Sequence, residues 1–481
     1  MTAAAPPAGR AAQSRLRRVL GLWGAVALSV GVMAPTLAMS TTGAQAAHEL
    51  GRAAPLAYVL AAVGIAFVAY GFVRLAGHFA HAGSVYAFVG NTLGPRAGFV
   101  AGWALLGTYI VFPPVSMLGV AVFGQAFLKS TGIATHPDWL PIALAAWAVT
   151  WILASRDIGV ATRSLLSLEA VSVLAIVVLV VVIYVRLAVG SPPHRQDLNL
   201  DFVRLPHGIG FATVALAGTI GFLSFAGFEA AGSLGEESER PTRAIPRSIV
   251  FAIAFGAVFY VFCMVAQTLG FGTDSAGVRA FSGSQAPLGD LARSYLGSGM
   301  ADVLDVGAML SAIGAALGGV AVGARMLYAF ARDGISAKPL GALSKGTGEP
   351  ARALALIMLL ALAALVSFGA ARTAPLDAFF YLATIGVLSL LFMYMLTNVG
   401  AIPLLARTAD ASPWEILFPA GGIVVAGYTL YRNVIPVPPS PFDVFPYVVA
   451  AWLLLGLIAS IVLPGFAGRI AAGLARQREA A

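Results

Sequence analysis

Two carboxylates stand inside strongly apolar stretches of the sequence. Glu169 lies in SLLSLEAVSVLAIVVLVVVIYV, and Glu229 lies in GFLSFAGFEAAGSL. Removal from water disfavours a charged carboxylate, so burial favours the protonated form and makes both residues candidate proton carriers. Each also has a structural alternative. Glu229 would accept hydrogen bonds inside a helix bundle, and Glu169 would pair with Arg163 or another loop base at a cytoplasmic opening.

The other reactive side chains form no enzymatic pattern. His78 and His81 are three residues apart without a third ligand, which makes a poor metal site, and His48-Glu49 is not a metalloprotease motif. The single cysteine, Cys263, excludes an internal disulfide and is expected to be a small buried residue. Nucleophile–base arrangements and Walker-type loops are absent. The sequence therefore predicts no enzyme, no cofactor and no metal site.

The composition is that of a membrane protein. Of 481 residues, 59% are hydrophobic and only 10% are charged, whereas a soluble protein is about a quarter charged. Apolar runs of about twenty residues match the ~30 Å hydrocarbon core of a bilayer. The net charge of +8 is typical of basic cytoplasmic loops, and aromatic-basic interleaving that would indicate nucleic-acid binding is missing.

We predict an all-α polytopic membrane protein with about twelve transmembrane helices. They lie near 19–45, 53–76, 96–128, 138–154, 161–187, 208–234, 245–272, 300–332, 353–371, 376–403, 413–431 and 444–466. With both termini in the cytoplasm, most of the 29 Lys and Arg residues face inward. We expect an external loop at 191–206, a short amphipathic outer helix within 274–298, and a frayed tail at 469–481.

The first apolar stretch is interrupted at its centre by Gly31 and Pro35, in ALSVGVMAPT. A helix that ends near Ser29 and restarts near Ala34 would place the proline in a first turn, where its missing N–H costs nothing. The glycine would supply the permissive backbone between them. The length and interruption of this stretch favour a first helix over a cleaved signal peptide, the alternative raised by Ala44-Gln45-Ala46.

The sixth predicted helix is interrupted in the same way, around Ser224 in GFLSFAG. Paired interruptions in two halves of a chain are typical of transporter binding sites. The N–H groups at one half-helix end suit a carboxylate, and the carbonyls at the other suit an ammonium or a cation, so a zwitterion would use both. The alternative is that these glycines, among 54 in the chain, only permit close helix packing.

Four segments together resemble the amino acid–polyamine–organocation (APC) superfamily of permeases. They are FLSFAGFEAAGSLGEESERPTRAIPRSI (222–249), AHAGSVYAFVGNTLGPRAGFVAGW (80–103), ARMLYAFARDGISAKPL (324–340) and VGVMAPT (30–36). The resemblance implies a LeuT-like 5+5 inverted repeat followed by two C-terminal helices. On this chain it gives a cytoplasmic tail 1–18, a first repeat 19–190, an external loop 191–207, a second repeat 208–403, helices 11–12 at 404–468 and a tail 469–481.

The resemblance also implies a substrate site made of main-chain groups from helices 1 and 6. The residues are Ser29, Val30, Gly31, Val32, Met33, Phe222, Leu223, Ser224, Phe225, Ala226 and Gly227. Phe225 or Phe228 would cover the ligand as an aromatic gate, unless these rings only pack. Arg15, Arg17 or above all Arg18 would pair with Asp333 as an inner gate, unless the arginines serve only as topology signals.

The coupling ion stays open at this point. Sodium-dependent relatives place hydroxyls where this chain has Ala315-Ala316-Leu317-Gly318-Gly319, and some proton-coupled relatives use a helix-5 lysine near the position of Ser172. Proton symport through Glu169 or Glu229, and sodium-independent exchange, both remain. We expect a cell-membrane transporter of amino acids or related amines, with a slight preference for neutral amino acids. A transporter-like sensor without flux is the rival class, and the oligomeric state is undetermined.

Overall fold

The computed structural model describes residues 20–156, 158–193, 196–344, 346–409, 411–463 and 465–478. These residues form helices and connecting turns, with one isolated bridge between Leu20 and Ser238. The α-helices are α1 (Leu22–Met33), α2 (Pro35–Leu50), α3 (Ala54–Ala76), α4 (Val85–Thr92), α5 (Pro95–Ser130), α6 (Trp139–Ala154), α7 (Ile158–Ala188), α8 (Phe211–Phe225), α9 (Pro241–Phe271), α10 (Ser275–Ser282), α11 (Pro287–Tyr295), α12 (Ser298–Arg332), α13 (Ala351–Ala370), α14 (Pro375–Arg407), α15 (Leu417–Arg432), α16 (Phe445–Val462) and α17 (Phe466–Arg478).

Short 3₁₀ turns supplement these helices at Gly51–Ala53, Asp201–Val203, Phe228–Leu234, Lys338–Gly341 and Pro413–Ile416. Within the described residues, nine segments are long and apolar enough to cross a membrane. The predicted all-α membrane class is therefore confirmed. The predicted spans at 138–154 and 413–431 correspond to α6 and α15, which have 16 residues each. The count of twelve spans stays a prediction.

Three local features differ from the sequence-based expectations. The segment 274–298 forms two short helices, α10 and α11, instead of one. The helix α4 precedes α5 where no separate helix was expected. The tail expected to be frayed is helical up to Arg478, because Phe466, Ile470 and Leu474 recur every four residues and are buried. The ring of Phe466 packs 4.8 Å from that of Phe99 in α5.

The interrupted helices lie inside the bundle. Helix α5, with 36 residues, packs along α12 and α14, and at 1.5 Å per residue it is about 54 Å long. Helix α1 packs against α9 and α12, and α2 packs against α8. The result is that Ser29 and Thr36, which flank the first interruption, have no exposed surface. Irregular backbone at this depth is thus covered by protein, as a bilayer requires.

Candidate functional site

The first interruption is a single residue. Ala34 has φ 45° and ψ 62°, in the left-handed region, and separates α1 from α2. Ser29 to Met33 are helical, so the expected end of the helix near Ser29 was wrong, and Gly31 is not the residue that reverses the backbone. Pro35 opens α2 as predicted. Ala34 is the residue before Pro35, and a proline ring disfavours the right-handed helical conformation of the residue that precedes it. A non-glycine residue held at positive φ costs about 1–3 kcal/mol, which points to a functional constraint.

The N–H groups released at the start of α2 are all engaged. The N–H of Thr36 donates to Glu169 Oε1 at 3.1 Å, and its hydroxyl donates to the same oxygen at 3.0 Å. The N–H of Leu37 donates to the hydroxyl of Ser311 at 3.3 Å. Ala34 donates to the carbonyl of Val30 at 3.0 Å, and proline has no N–H. The four donors that a helix start leaves free are therefore accounted for.

The second interruption lies at Ala226 and Gly227, between α8 and the 3₁₀ turn Phe228–Leu234. Phe222 to Phe225 are still helical, so the break comes later than the sequence suggested. Gly227 has φ 114°, which favours glycine, and a Cβ there would lie 2.6 Å from Cγ1 of Val32 and 2.8 Å from the nitrogen of Met33. The two breaks are therefore in direct contact, and only glycine allows this approach.

Ser29 joins the two interrupted helices. Its hydroxyl donates to the carbonyl of Phe228 at 2.9 Å and accepts from the N–H of Ala231 at 3.2 Å. Ser224, the predicted counterpart of Ser29, shares its hydroxyl with Thr42 in α2 at 3.2 Å. Each serine therefore connects one broken helix to the other.

Glu229 is buried, with 2% exposure, and is held from three sides. Its Oε1 accepts from Tyr109 in α5 at 2.9 Å, and its Oε2 accepts from Tyr394 in α14 at 3.0 Å and from the N–H of Gly227 at 3.2 Å. These bonds match the predicted structural alternative, in which the carboxylate accepts hydrogen bonds inside the bundle. No basic side chain pairs with it among the described residues. Its proton-binding role stays a prediction.

Glu169, at 4% exposure, contacts the break in helix 1 rather than a loop. The side chain of Arg163, its suggested partner, lies outside the described part of the chain. Sequence reasoning found the carboxylate but not its partner, because nothing in the sequence indicates that α7 crosses the start of α2. Its role in proton coupling also stays a prediction.

Two cavities adjoin the first break. The central cavity, of about 50 Å³, is bounded by Val32, Met33, Ala226, Phe112 and Phe379 among others. A second cavity, also of about 50 Å³, is bounded by Leu28, Gly31, Gly318, Arg325 and Glu349 among others. Val32 stands between them, because its methyl groups pack against Gly227 and Gly318. One valine side chain therefore forms part of the wall between two openings.

Phe225 and Phe228, the predicted aromatic gate residues, are not among the residues that line the central cavity. Phe225 packs edge-on against Tyr260 in α9, with ring centres 5.0 Å apart. Phe228 packs between Phe72 and Tyr394, at 5.4 Å and 5.3 Å. The rings that line the central cavity are instead Phe112 and Phe379. No sequence signal distinguished these two rings, since phenylalanine is common in membrane helices.

An ionic cluster follows the second break. Arg325, 1% exposed, donates two bonds of 2.9 Å to Glu237 and one of 3.3 Å to Glu349. Arg332 donates to Glu236 at 2.7 Å. Burial raises the pKa of Glu237, and the charge of Arg325 opposes that rise. Both arginines and Glu236 and Glu237 lie in two of the family-like segments, whereas Glu349 lies outside them, and sequence reasoning paired none of these residues.

Only the acidic residue of the predicted inner gate lies within the described part of the chain. Arg15, Arg17 and Arg18 lie outside the described residues. Asp333 is buried, accepts a bond of 2.8 Å from the hydroxyl of Tyr86, and lies 3.7 Å from Nε of Arg332. An ion pair between Arg18 and Asp333 stays a prediction.

Comparison with known proteins agrees with this architecture. The family model described as amino acid permease matches residues 23–465. The branched-chain amino acid permease BcaP of Lactococcus lactis is 26% identical over 353 residues, which cover 70% of this chain and 73% of that protein. BcaP of Bacillus subtilis is 27% identical, covering 70% and 71%. The low-affinity putrescine importer PlaP of Escherichia coli is 27% identical, covering 67% and 69%.

Proposed function

This chain belongs to the amino acid permease family and is a multi-pass membrane transporter rather than an enzyme, and from this premise we propose that it carries amino acids or related amines across the cell membrane by alternating access. The observation that carries the proposal is the contact between the two breaks at Val32 and Gly227, beside a cavity on each side of the valine. Interrupted helices meeting at a cavity are the usual form of a transporter site.

We propose a LeuT-like architecture, with repeats at 19–190 and 208–403, helices 11–12 at 404–468 and both termini in the cytoplasm. In this arrangement α1 with α2, and α8 with the following 3₁₀ turn, are corresponding members of the two repeats. Their similar interruption, after Met33 in one and after Phe225 in the other, supports this correspondence. The excess of basic residues in the loops assigned to the inside supports the orientation.

The proposed substrate site is the central cavity, with Val32, Met33 and Ala226 in its wall. Phe112 and Phe379 are the rings placed to cover a ligand there. For the central cavity to open towards the second cavity, Val32 must move away from Gly227 and Gly318. A movement of α1 relative to its neighbours would achieve this.

We propose proton symport, with Glu169 or Glu229 as the proton-binding group. Both are buried and neither has a basic partner among the described residues, so the charged form is costly. Glu169 also contacts the break directly through Thr36, so that a change in its charge would act on the site itself. Sodium-independent exchange is the alternative for the same site.

Uptake into proteoliposomes of purified protein tests the proposal. We expect saturable uptake of an amino acid or an amine, stimulated by an imposed inward proton gradient. Uptake that requires substrate inside the proteoliposomes and does not respond to the proton gradient would indicate exchange instead. Ligand-dependent thermal stabilisation without any uptake would indicate a sensor and contradict transport.

A cavity-filling variant tests the location of the site. Ala226→Leu fills the central cavity and should abolish saturable uptake while the protein still inserts into membranes. The matched control is Ala451→Leu, an exposed position on α16 far from both breaks. Full uptake by the Ala226 variant would show that the substrate binds elsewhere.

A further inference from the structure

We propose that the central cavity recognises a primary amine without a carboxylate in preference to the corresponding amino acid. This inference rests on the transport function proposed above and narrows its substrate class. It follows from the hydrogen-bonding character of the cavity wall, in which acceptors are available and donors are not.

The donors of the half-helix α2 are used by the protein itself. The N–H and the hydroxyl of Thr36 bind Glu169, the N–H of Leu37 binds Ser311, and Pro35 has no N–H. A ligand carboxylate would need these groups, because a helix start is its natural binding position. Here the carboxylate of Glu169 already occupies that position.

Three N–H groups of the second break are also bound by the protein, and Phe228, whose N–H is not among them, is not one of the residues that line the central cavity. The N–H of Gly227 binds the carboxylate of Glu229 at 3.2 Å, and the N–H of Ala226 binds the carbonyl of Leu223 at 3.2 Å. The N–H of Ala231 binds Ser29 at 3.2 Å. At both breaks, protein oxygens have taken the positions where a ligand oxygen would bind.

Three residues that line the cavity carry a hydroxyl, and each hydroxyl donates its hydrogen to a main-chain carbonyl. Thr41 donates its single hydrogen to the carbonyl of Leu37 at 2.9 Å, and Thr42 donates to that of Ala38 at 2.6 Å. Ser116 donates to the carbonyl of Phe112 at 3.0 Å. A hydroxyl has one donor and two acceptor positions. The hydroxyls of Tyr58 and Ser224 already contact the oxygen of Thr42, so of these three groups Thr41 and Ser116 retain lone pairs for a ligand.

The carbonyls at the end of α1 are further acceptors. In a continuous helix, Val32 and Met33 would accept from the N–H groups four residues later, but those groups bind Glu169 and Ser311. Both residues line the cavity. The end of α1 also carries the negative pole of its helix dipole, whereas the positive pole of α2 is countered by Glu169.

These features together define a site for an ammonium group with an apolar remainder. The rings of Phe112 and Phe379 line the same cavity and attract a cation through their faces. An amino acid would satisfy the same acceptors with its ammonium group. Its carboxylate, however, would lose its bonds to water without finding a donor in the cavity. This loss lowers the affinity for the amino acid by about tenfold or more.

Matched pairs of ligands test the inference on the purified full-length protein. Isoamylamine is leucine without its carboxylate, and putrescine is ornithine without its carboxylate. We expect each amine to reach half-maximal thermal stabilisation at a concentration about tenfold or more below that of its amino acid, and uptake in proteoliposomes to follow the same order.

The outcomes separate this inference from the proposed function. Uptake of leucine or ornithine that equals or exceeds that of the amines would overturn the amine preference and leave transport intact. Tight binding of the amines without uptake would support the preference and contradict transport. If none of the four compounds binds or is transported, both proposals are wrong.

A variant tests whether Glu169 is responsible. Glu169→Ala frees the donors of Thr36, so the ratio of amine to amino acid affinity should fall by about tenfold. Glu169→Gln keeps an acceptor oxygen there and should retain part of the preference. The matched control is Asp305→Asn, which changes a different buried carboxylate, on α12, and should leave the ratio unchanged. An unchanged ratio in the alanine variant would refute the role of Glu169.

Discussion

Replacing Arg325 by methionine is expected to destabilise the protein strongly. The guanidinium is 1% exposed and holds Glu237, whose side chain is 4% exposed, through two bonds of 2.9 Å. Removing one partner of a buried ion pair leaves the other charge uncompensated, which costs about 3–5 kcal/mol. The free energy of unfolding, measured in mixed micelles by titration with a denaturing detergent, should fall by that amount in Arg325→Met.

The double variant decides whether this reasoning holds. In Arg325→Met with Glu237→Met, no charge of the pair remains, and Glu349 keeps a side chain that is 13% exposed to water. Replacing a buried pair by apolar residues of similar volume is often nearly neutral. We therefore expect the double variant to lie within about 2 kcal/mol of the wild type. A loss equal to the sum of the two single losses would refute the assignment of the cost to an uncompensated buried charge.

An exposed pair provides the control. Arg293 and Asp290 lie 3.1 Å apart, but their side chains are 46% and 45% exposed. Such pairs contribute about 1 kcal/mol or less. Arg293→Met should therefore change the free energy of unfolding little, although the chemical substitution is the same as at Arg325.

Three further predictions use the same preparations. Gly227→Ala places a methyl group at φ 114° and should abolish saturable uptake while membrane insertion, measured by fractionation, persists. Tyr394→Phe removes a donor from Glu229 and should lower the free energy of unfolding by about 1.5–3 kcal/mol. Burial raises the pKa of Glu236, but the hydrogen bond and charge of Arg332, the charge of His81 and the N–H of Ala82 together hold this pKa below its usual value. The carboxyl therefore stabilises the wild type at pH values above the usual pKa of glutamate, and the effect is lost on acidification. In Arg332→Met the pKa should rise, so unfolding titrations should show that the contribution of this carboxyl declines with increasing pH.

Local sequence determined the helices and the existence of the two breaks. Apolar runs long enough to cross a bilayer must be helical there, because only helices and closed barrels satisfy the backbone without water. Pro35 and Gly227 are features of the chain itself, and each forces or permits a departure from helical geometry near its own position. The membrane class, the broken helices and the two buried carboxylates could therefore be predicted without a structure.

Tertiary structure alone decided where each break falls and what fills it. The first break is at Ala34 and not near Ser29, and Val32 packs on Gly227 from the other half of the chain. Glu169 binds Thr36 across 133 residues of sequence, and Ser311 binds Leu37 across 274. A single sequence fixes the period of each helix but not the rotation and neighbours of that helix in the bundle. That packing decides which protein groups bind the free N–H donors, and therefore which ligand can still bind at the site.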